Sequence, residues 1–288
     1  MILGFLKARD LNAKRRMATR IGFDRRTTPG RGRTRLFWDL VFRMLRFLAR
    51  HAHNAYTVFG IFLLSGAAVA VIGTWAFTEL AGHVSSGKTQ AFDDAVMHWV
   101  GLHQYPMLEA FMLEVTALAT ASVVTAIVVI SGMFLWLNKH KHSAILLGTA
   151  ALGAIVLNNL LKLGFDRPRP TIFQWGTHPV SSSFPSGHAM SASVVYFTVA
   201  YLAARLQRKR AARVLTMMIA VAMVVSISLS RVYLGVHYPS DVLAGVTIGL
   251  AWAAFCMAIL EAAQLYAKRN APQMLKDEQP APAHDPSS

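Results

Sequence analysis

Three short stretches hold most of the reactive side chains in an otherwise apolar chain: KLGFDRPRP at 162–170, PSGH at 185–188 and SRVYLGVHYPSD at 230–241. Each adjoins a long apolar run, where an ionisable group is costly and by default marks function. Lys162, Arg167, Arg169 and Arg231 are cationic, and only Asp166 and Asp241 oppose them nearby. Four cations around one site repel a divalent metal, which wants carboxylates, thiolates or neutral imidazoles. They suit an anion with several oxygens, to which arginine offers a matched planar fork of donors. The residue types therefore point to phosphate held without a metal or other cofactor.

Two histidines supply the reactive nitrogens. His237 and Asp241 are four residues apart, and Pro239 disfavours helical geometry at Tyr238, so the last helix is expected to begin near Pro239. Asp241 then falls in its first turn and can reach back to His237. A carboxylate on one ring nitrogen leaves the other a better base or nucleophile. Asp241 could equally cap its own helix, and the two roles are compatible. In PSGH, Pro185 suits a first helical turn. Ser186 and Gly187 then offer unpaired N–H groups at the positive end of a helix, a ready anion site, and His188 projects from the same turn. On its own this stretch is equally an ordinary capped membrane helix with a polar interfacial histidine.

The elements that position these residues are membrane spans. Of 288 residues, 54% are hydrophobic and 15% charged, against about 25% charged in soluble chains. Mean hydropathy is +0.40. Apolar runs at 56–78, 117–137, 143–163, 189–206, 214–230 and 241–266 predict an all-α fold, a bundle of six transmembrane helices, since crossing the bilayer takes about 20 residues. A short interfacial helix at 91–106 is expected before the second span. Asp93 and Asp94 fit its N-terminal turn better than a metal site. Asn158 and Asn159 suit hydrogen bonds between helices. Cys256 is the sole cysteine, so no intrachain disulfide forms.

Charge sets the expected topology and domain limits. The net charge is +15, and residues 1–53 hold fourteen Lys or Arg against three acids. On a membrane protein such a tail reads as a cytoplasmic basic segment, and no nucleic-acid partner is expected. MILGFL is too short an apolar core for a signal peptide. The basic turns at 138–142, 205–213 and 267–276 then lie inside, as the positive-inside rule expects, and the three reactive stretches gather at the outer face. Residues 1–35 read as a disordered basic tail. Residues 36–53 read as an interfacial amphipathic helix, with Asp39, Arg43, Arg46 and Arg50 on one face. The membrane domain covers 54–269, and 270–288 reads as a disordered tail.

Together the three stretches resemble the type 2 phosphatidic acid phosphatase family, whose site is shared with vanadium haloperoxidases and bacterial class A acid phosphatases. That family's signature is K-x6-RP, then PSGH, then SR-x5-H-x3-D. The chain fills every position, with Lys162, Arg169 and Pro170, then Pro185 to His188, then Ser230, Arg231, His237 and Asp241. The resemblance implies that His237 attacks phosphorus, Asp241 holds its ring, and His188 protonates the leaving oxygen and then activates water. Lys162, Arg169, Ser186, Gly187 and Arg231 would bind the phosphate oxygens. Arg167, outside the minimal signature, is expected as a peripheral phosphate contact or headgroup anchor. The implied protein is a metal-independent lipid phosphatase of the bacterial inner membrane, with its site facing the periplasm and both termini cytoplasmic. Its implied partners are a lipid phosphate substrate and membrane lipids, and no oligomeric state is specified. Undecaprenyl diphosphate is the first expected substrate. Phosphatidic acid, phosphatidylglycerol phosphate and lipid A follow, and transfer to a second lipid is a further version. A non-catalytic anion transporter or scaffold is the competing class, while the spans exclude a soluble haloperoxidase.

Overall fold

Small residues make the last apolar run the axis of the bundle. The computed structural model describes the backbone of residues 55–171 and 181–277, and the side chains of 63–171 and 181–264. The regular structure there is all helical: α1 (Ala55–Ser85), α2 (Gln90–Leu102), α3 (Pro106–Ala117), α4 (Ala121–Leu137), α5 (Lys141–Gly164), α6 (Gly187–Leu206), α7 (Arg210–Tyr233) and α8 (Pro239–Asp277). Central α8 packs against α1, α6 and α5, and more lightly against α7. The expected tail at 1–35, the interfacial helix at 36–53 and residues 278–288 lie outside the described residues.

Among the described residues five helices are long and apolar enough to cross a membrane, and α3 with α4 makes a sixth span if counted together. These two are bent by 45° rather than forming the straight run expected at 117–137. Thr120 is the reason: it is extended (φ −67°, ψ 153°) and its hydroxyl donates to Ala117 O at 2.7 Å. A hydroxyl that competes for backbone bonds favours a cap over a continued helix. At the other end α8 runs past residue 270 to Asp277. Residues 267–277 include Ala, Lys, Gln, Met and Leu, which favour a helix, and Pro272, which does not; extending a formed helix needs no new nucleus.

In lipid, helices lack a hydrophobic drive toward each other, so they associate where small residues allow close contact. On one side of α8, a methyl on Gly245 would stand 2.5 Å from Ser186 O, and one on Gly249 would stand 2.8 Å from Met190 O. On the other side, Gly73 of α1 admits Ala251, where a methyl would meet the Ala251 Cβ at 2.9 Å. Beneath the end of α6, the buried Phe184 ring stacks on Phe77 of α1 at 5.8 Å and meets Phe165 edge-on at 4.8 Å. These contacts bring the start of α6 against the first turns of α8.

A branched side chain cannot fit in that crossing, and overpacking costs about 1–3 kcal/mol. Gly245→Val is therefore expected to lower the melting temperature in detergent and to reduce activity sharply. Gly148→Ala faces open space and is expected to leave both unchanged.

Candidate active site

Three local turns carry the reactive residues to one end of the bundle. After α5 the chain is extended from Phe165 (φ −130°, ψ 125°), and Pro168 and Pro170 hold their predecessors in that state. Ser183 N–H donates to Arg167 O at 2.9 Å and ties this segment to the approach to α6. Helix α7 ends in a Schellman motif. Gly235 (φ 68°) takes the left-handed position, Gly235 N–H bonds Val232 O at 3.0 Å, and Val236 N–H bonds Arg231 O at 3.2 Å. The chain thereby reverses, and His237 returns toward the bundle end just before α8 begins at Pro239.

His237 is buried and held from behind. Its Nδ1 lies 2.8 Å from Ser183 O. A carbonyl only accepts, so Nδ1 carries the proton and Nε2 keeps its lone pair. Asp241 Oδ2 is 3.8 Å from Nδ1, an ion-pair distance rather than a hydrogen bond. The Ser183 hydroxyl joins the two: it donates to Asp241 Oδ2 at 2.5 Å and lies 3.4 Å from Nδ1. Asp241 Oδ2 also accepts Tyr238 N–H at 2.9 Å, so the carboxylate caps its helix and backs the histidine at once. Burial pushes the His237 pKa down to about 4, with Asp241 opposing and Arg231 and Arg169 adding to the fall. At neutral pH the ring is therefore uncharged, with a lone pair on Nε2.

Cations line the Nε2 side. Arg169 Nη1 is 3.4 Å from that nitrogen and donates to Val236 O at 2.9 Å. Its other bonds are to Ser181 O and Oγ, and Lys162 Nζ reaches the same Ser181 hydroxyl at 3.5 Å. Burial lowers the Arg169 pKa, with the Asp241 charge opposing. Arg231 Nη1 donates to Thr116 of α3 at 2.8 Å, which ties the bent helix to the site. The His188 ring lies within the fields of Arg231, His237, Lys162 and Arg169, so all five groups share one region.

The N-terminus of α6 differs from expectation in two respects. The helix starts at Gly187 with Ser186 as its extended N-cap, so Pro185 precedes the helix instead of lying in its first turn. Ser186 N–H is also not free: it donates to Asp241 O at 3.0 Å and joins two of the signature stretches backbone to backbone. The first helical bond is Met190 N–H to Ser186 O, which leaves the N–H groups of Gly187, His188 and Ala189 for another acceptor. Ser186 Oγ and Arg231 Nε are buried without a protein partner among the described residues, and so is Asn158 Oδ1. Buried polar atoms are normally satisfied, and an anion with several oxygens satisfies the Ser186 and Arg231 donors, whereas Asn158 Oδ1 only accepts. Asn158 stands against Gly187, where a methyl would meet its Nδ2 at 3.2 Å, so it faces the site as well as a neighbouring helix.

Arg167 does not face a phosphate. Its guanidinium lies between two buried carboxylates, Nη1 donating to Asp241 Oδ1 at 2.5 Å and Nη2 to Asp93 Oδ2 at 2.7 Å. Ser240 Oγ and Gln90 Oε1 accept its remaining bonds, and the Tyr238 ring lies 4.3 Å below. Burial works against its charge, but Asp241 and Asp93 outweigh it and hold its pKa above the usual arginine value. The sequence reading missed Asp93 because AFDDAV looks like any acidic first turn. Two adjacent acids do not say which of them is buried.

A PAP2 superfamily model matches residues 143–265, from α5 through most of α8. Phosphatidylglycerophosphatase B of Bacillus subtilis is 33% identical over 175 residues, 60% of this chain and 86% of that protein. The crystal structure of a transmembrane PAP2 type phosphatidylglycerolphosphate phosphatase from Bacillus subtilis superposes with a TM-score of 0.64 at 30% identity. It covers 67% of this chain and 96% of that one. An undecaprenyl-diphosphatase of Sulfolobus acidocaldarius is 29% identical over 137 residues, 46% of this chain and 62% of that protein. Fold and sequence together define a multi-pass helical membrane phosphatase. The chain belongs to the PAP2 superfamily and is a lipid phosphatase of that type.

Ser183→Ala keeps the carbonyl that accepts from His237 and removes the hydroxyl between the ring and Asp241. Losing one buried hydrogen bond to a charged group costs about 1.5–3 kcal/mol. The variant is expected to turn over at least about tenfold more slowly, with KM within twofold, in steady-state phosphate release.

Proposed function

We propose that this chain hydrolyses the terminal phosphate of a lipid phosphate at the outer face of the cytoplasmic membrane, through a phosphohistidine on His237. The Nε2 lone pair attacks phosphorus as the bond to the lipid oxygen breaks, and His188 gives that oxygen its proton. Water then attacks phosphorus and passes a proton to His188. The P–N bond breaks, and its electron pair returns to Nε2. Lys162, Arg169, Arg231, Ser186 Oγ and Gly187 N–H hold the equatorial oxygens, where charge concentrates in the transition state. Asp241 offsets the positive charge of the phosphorylated ring. The mechanism uses no metal. The carrying observation is His237 itself, whose Nδ1 is committed to Ser183 O while Nε2 stands beside Arg169.

The orientation rests on the basic turns 138–142 and 205–213, which lie at the opposite end from the site. For the substrate, phosphatidylglycerol phosphate stands ahead of undecaprenyl diphosphate. The phosphatidylglycerophosphatase relative matches over 86% of its length, and the undecaprenyl-diphosphatase over 62%. The second reading is retained on the strength of that relative.

Purified protein in detergent, offered a panel of lipid phosphates, is expected to release phosphate fastest from phosphatidylglycerol phosphate. His237→Asn is expected to lower turnover by about a thousandfold or more. Vanadate is expected to inhibit, and EDTA to have no effect. Activity lost to EDTA and restored by a divalent metal would contradict the mechanism. Label appearing in a second lipid without free phosphate would mean a phosphotransferase.

A further inference from the structure

The geometry points to Asp93 as a positioning residue for the proposed phosphoryl transfer, one that takes up the charge of Arg167 and leaves that of Asp241 to act on His237. The inference rests on the assignment of His237 as nucleophile. Arg167 is shared at 2.5 Å with Asp241 and 2.7 Å with Asp93, and both carboxylates are fully buried. Arg167 and Asp241 alone would form a neutral pair, whose field at the histidine is that of a dipole. With Asp93 the trio carries a net charge of −1. That charge matters when phosphorus bonds to Nε2 while the proton stays on Nδ1, because the ring then becomes cationic. A fixed negative charge in a low-dielectric site stabilises such a state without reorganisation.

Asp93 is built into this role from a distance. It lies on α2, outside the three reactive stretches, yet binds Ser240 147 residues later. Ser240 N–H donates to Oδ1 at 3.1 Å, and Ser240 Oγ–H to Oδ2 at 2.5 Å. Ser240 is the second residue of α8, so the carboxylate also meets the positive end of that helix. The bonds fix the first turn of α8, which carries Asp241. A structural tether would make the same bonds, so the charge is what must be tested.

The charged groups around His237 are known from each neighbouring element. Those that act on the ring directly are Asp241 from α8, Arg169 from the segment after α5, Arg231 from α7 and His188 from α6. Lys162 of α5 stands beside Arg169 and Arg231, and Arg167 after α5 reaches the ring through Asp241, as does Asp93 from α2. Asp93→Asn changes only the last of these. It makes His237 harder to protonate and its cationic intermediate harder to form. With one substrate throughout, so that substrate ionisation cancels, the acid limb of kcat/KM is expected to move down by about one pH unit. The kcat is expected to fall about tenfold, with KM within twofold.

Asp93→Glu, which retains the charge, is expected to recover part of both losses. Ser240→Ala weakens the tether without changing charge, and is expected to lower the melting temperature while leaving the limb in place. Asp94→Asn removes one charge from the same helix turn, keeps an oxygen for the Gln90 amide that Asp94 accepts at 2.8 Å, and is expected to leave the acid limb in place. Should Asp93→Asn fold poorly, Asp93→Ser carries the same readout with a smaller neutral group. His237→Asn separates the two levels, since appreciable turnover in it would fell the assignment of the nucleophile. With that variant inactive, an unmoved limb in the neutral Asp93 variants overturns the role of Asp93, whether or not kcat falls.

Discussion

One guanidinium between two fully buried carboxylates joins the elements on which the site depends. Arg167 comes from the extended segment after α5, Asp93 from α2 and Asp241 from the first turn of α8. No member could stand there alone, because an unpaired charge removed from water costs several kcal/mol. Each position therefore specifies the other two, and the arrangement has little freedom to slide. A joint of this kind suits a bilayer protein, whose apolar side chains gain nothing by leaving lipid for one another.

The rest of the architecture supplies what electrostatics cannot, which is close approach. Glycines 245 and 249 let α8 lie against the backbone of α6, and that contact allows Ser186 N–H to reach Asp241 O at 3.0 Å. The first turn of α6 and the carboxylate behind His237 are thus neighbours through the main chain. Phe184, set between Phe77 and Phe165, closes the space beneath them. Arg231 extends the tie to α3 through Thr116, so the bent span is anchored to the site through its first helix.

Which parts of this were legible in the sequence follows from how each part is encoded. The spans are visible because lipid demands about 20 apolar residues in a row, and five helices fall close to the expected runs. The grouping of Lys162, Arg169, His188, Arg231, His237 and Asp241 follows from their lying at span ends. Asp93 and Ser183 were not legible. Both act through partners far away in the chain, and nothing in their own neighbourhood distinguishes a buried carboxylate or hydroxyl from an exposed one. Arg167 was misassigned for the same reason: its spacing from Arg169 puts both near the site, but only contacts decide which one faces phosphate. The break at Thr120 was hidden because hydrophobicity scales score a threonine by its polarity and miss its competition for backbone carbonyls.

The two sets of charges act in opposite senses on the same ring. On the Nε2 side of His237 stands Arg169, and burial first, then the charges of Arg231 and Arg169, keep the imidazole neutral. Behind it stand Asp241 and, through Arg167, Asp93. In the proposed transfer an arriving phosphate offsets those cations, so part of what keeps the ring unprotonated is relieved as the ring becomes positive. The negative charge behind is then no longer opposed. With Arg169 at Nε2 and Asp241 on the Nδ1 side, the proposed site favours a neutral ring before attack and a cationic one after it.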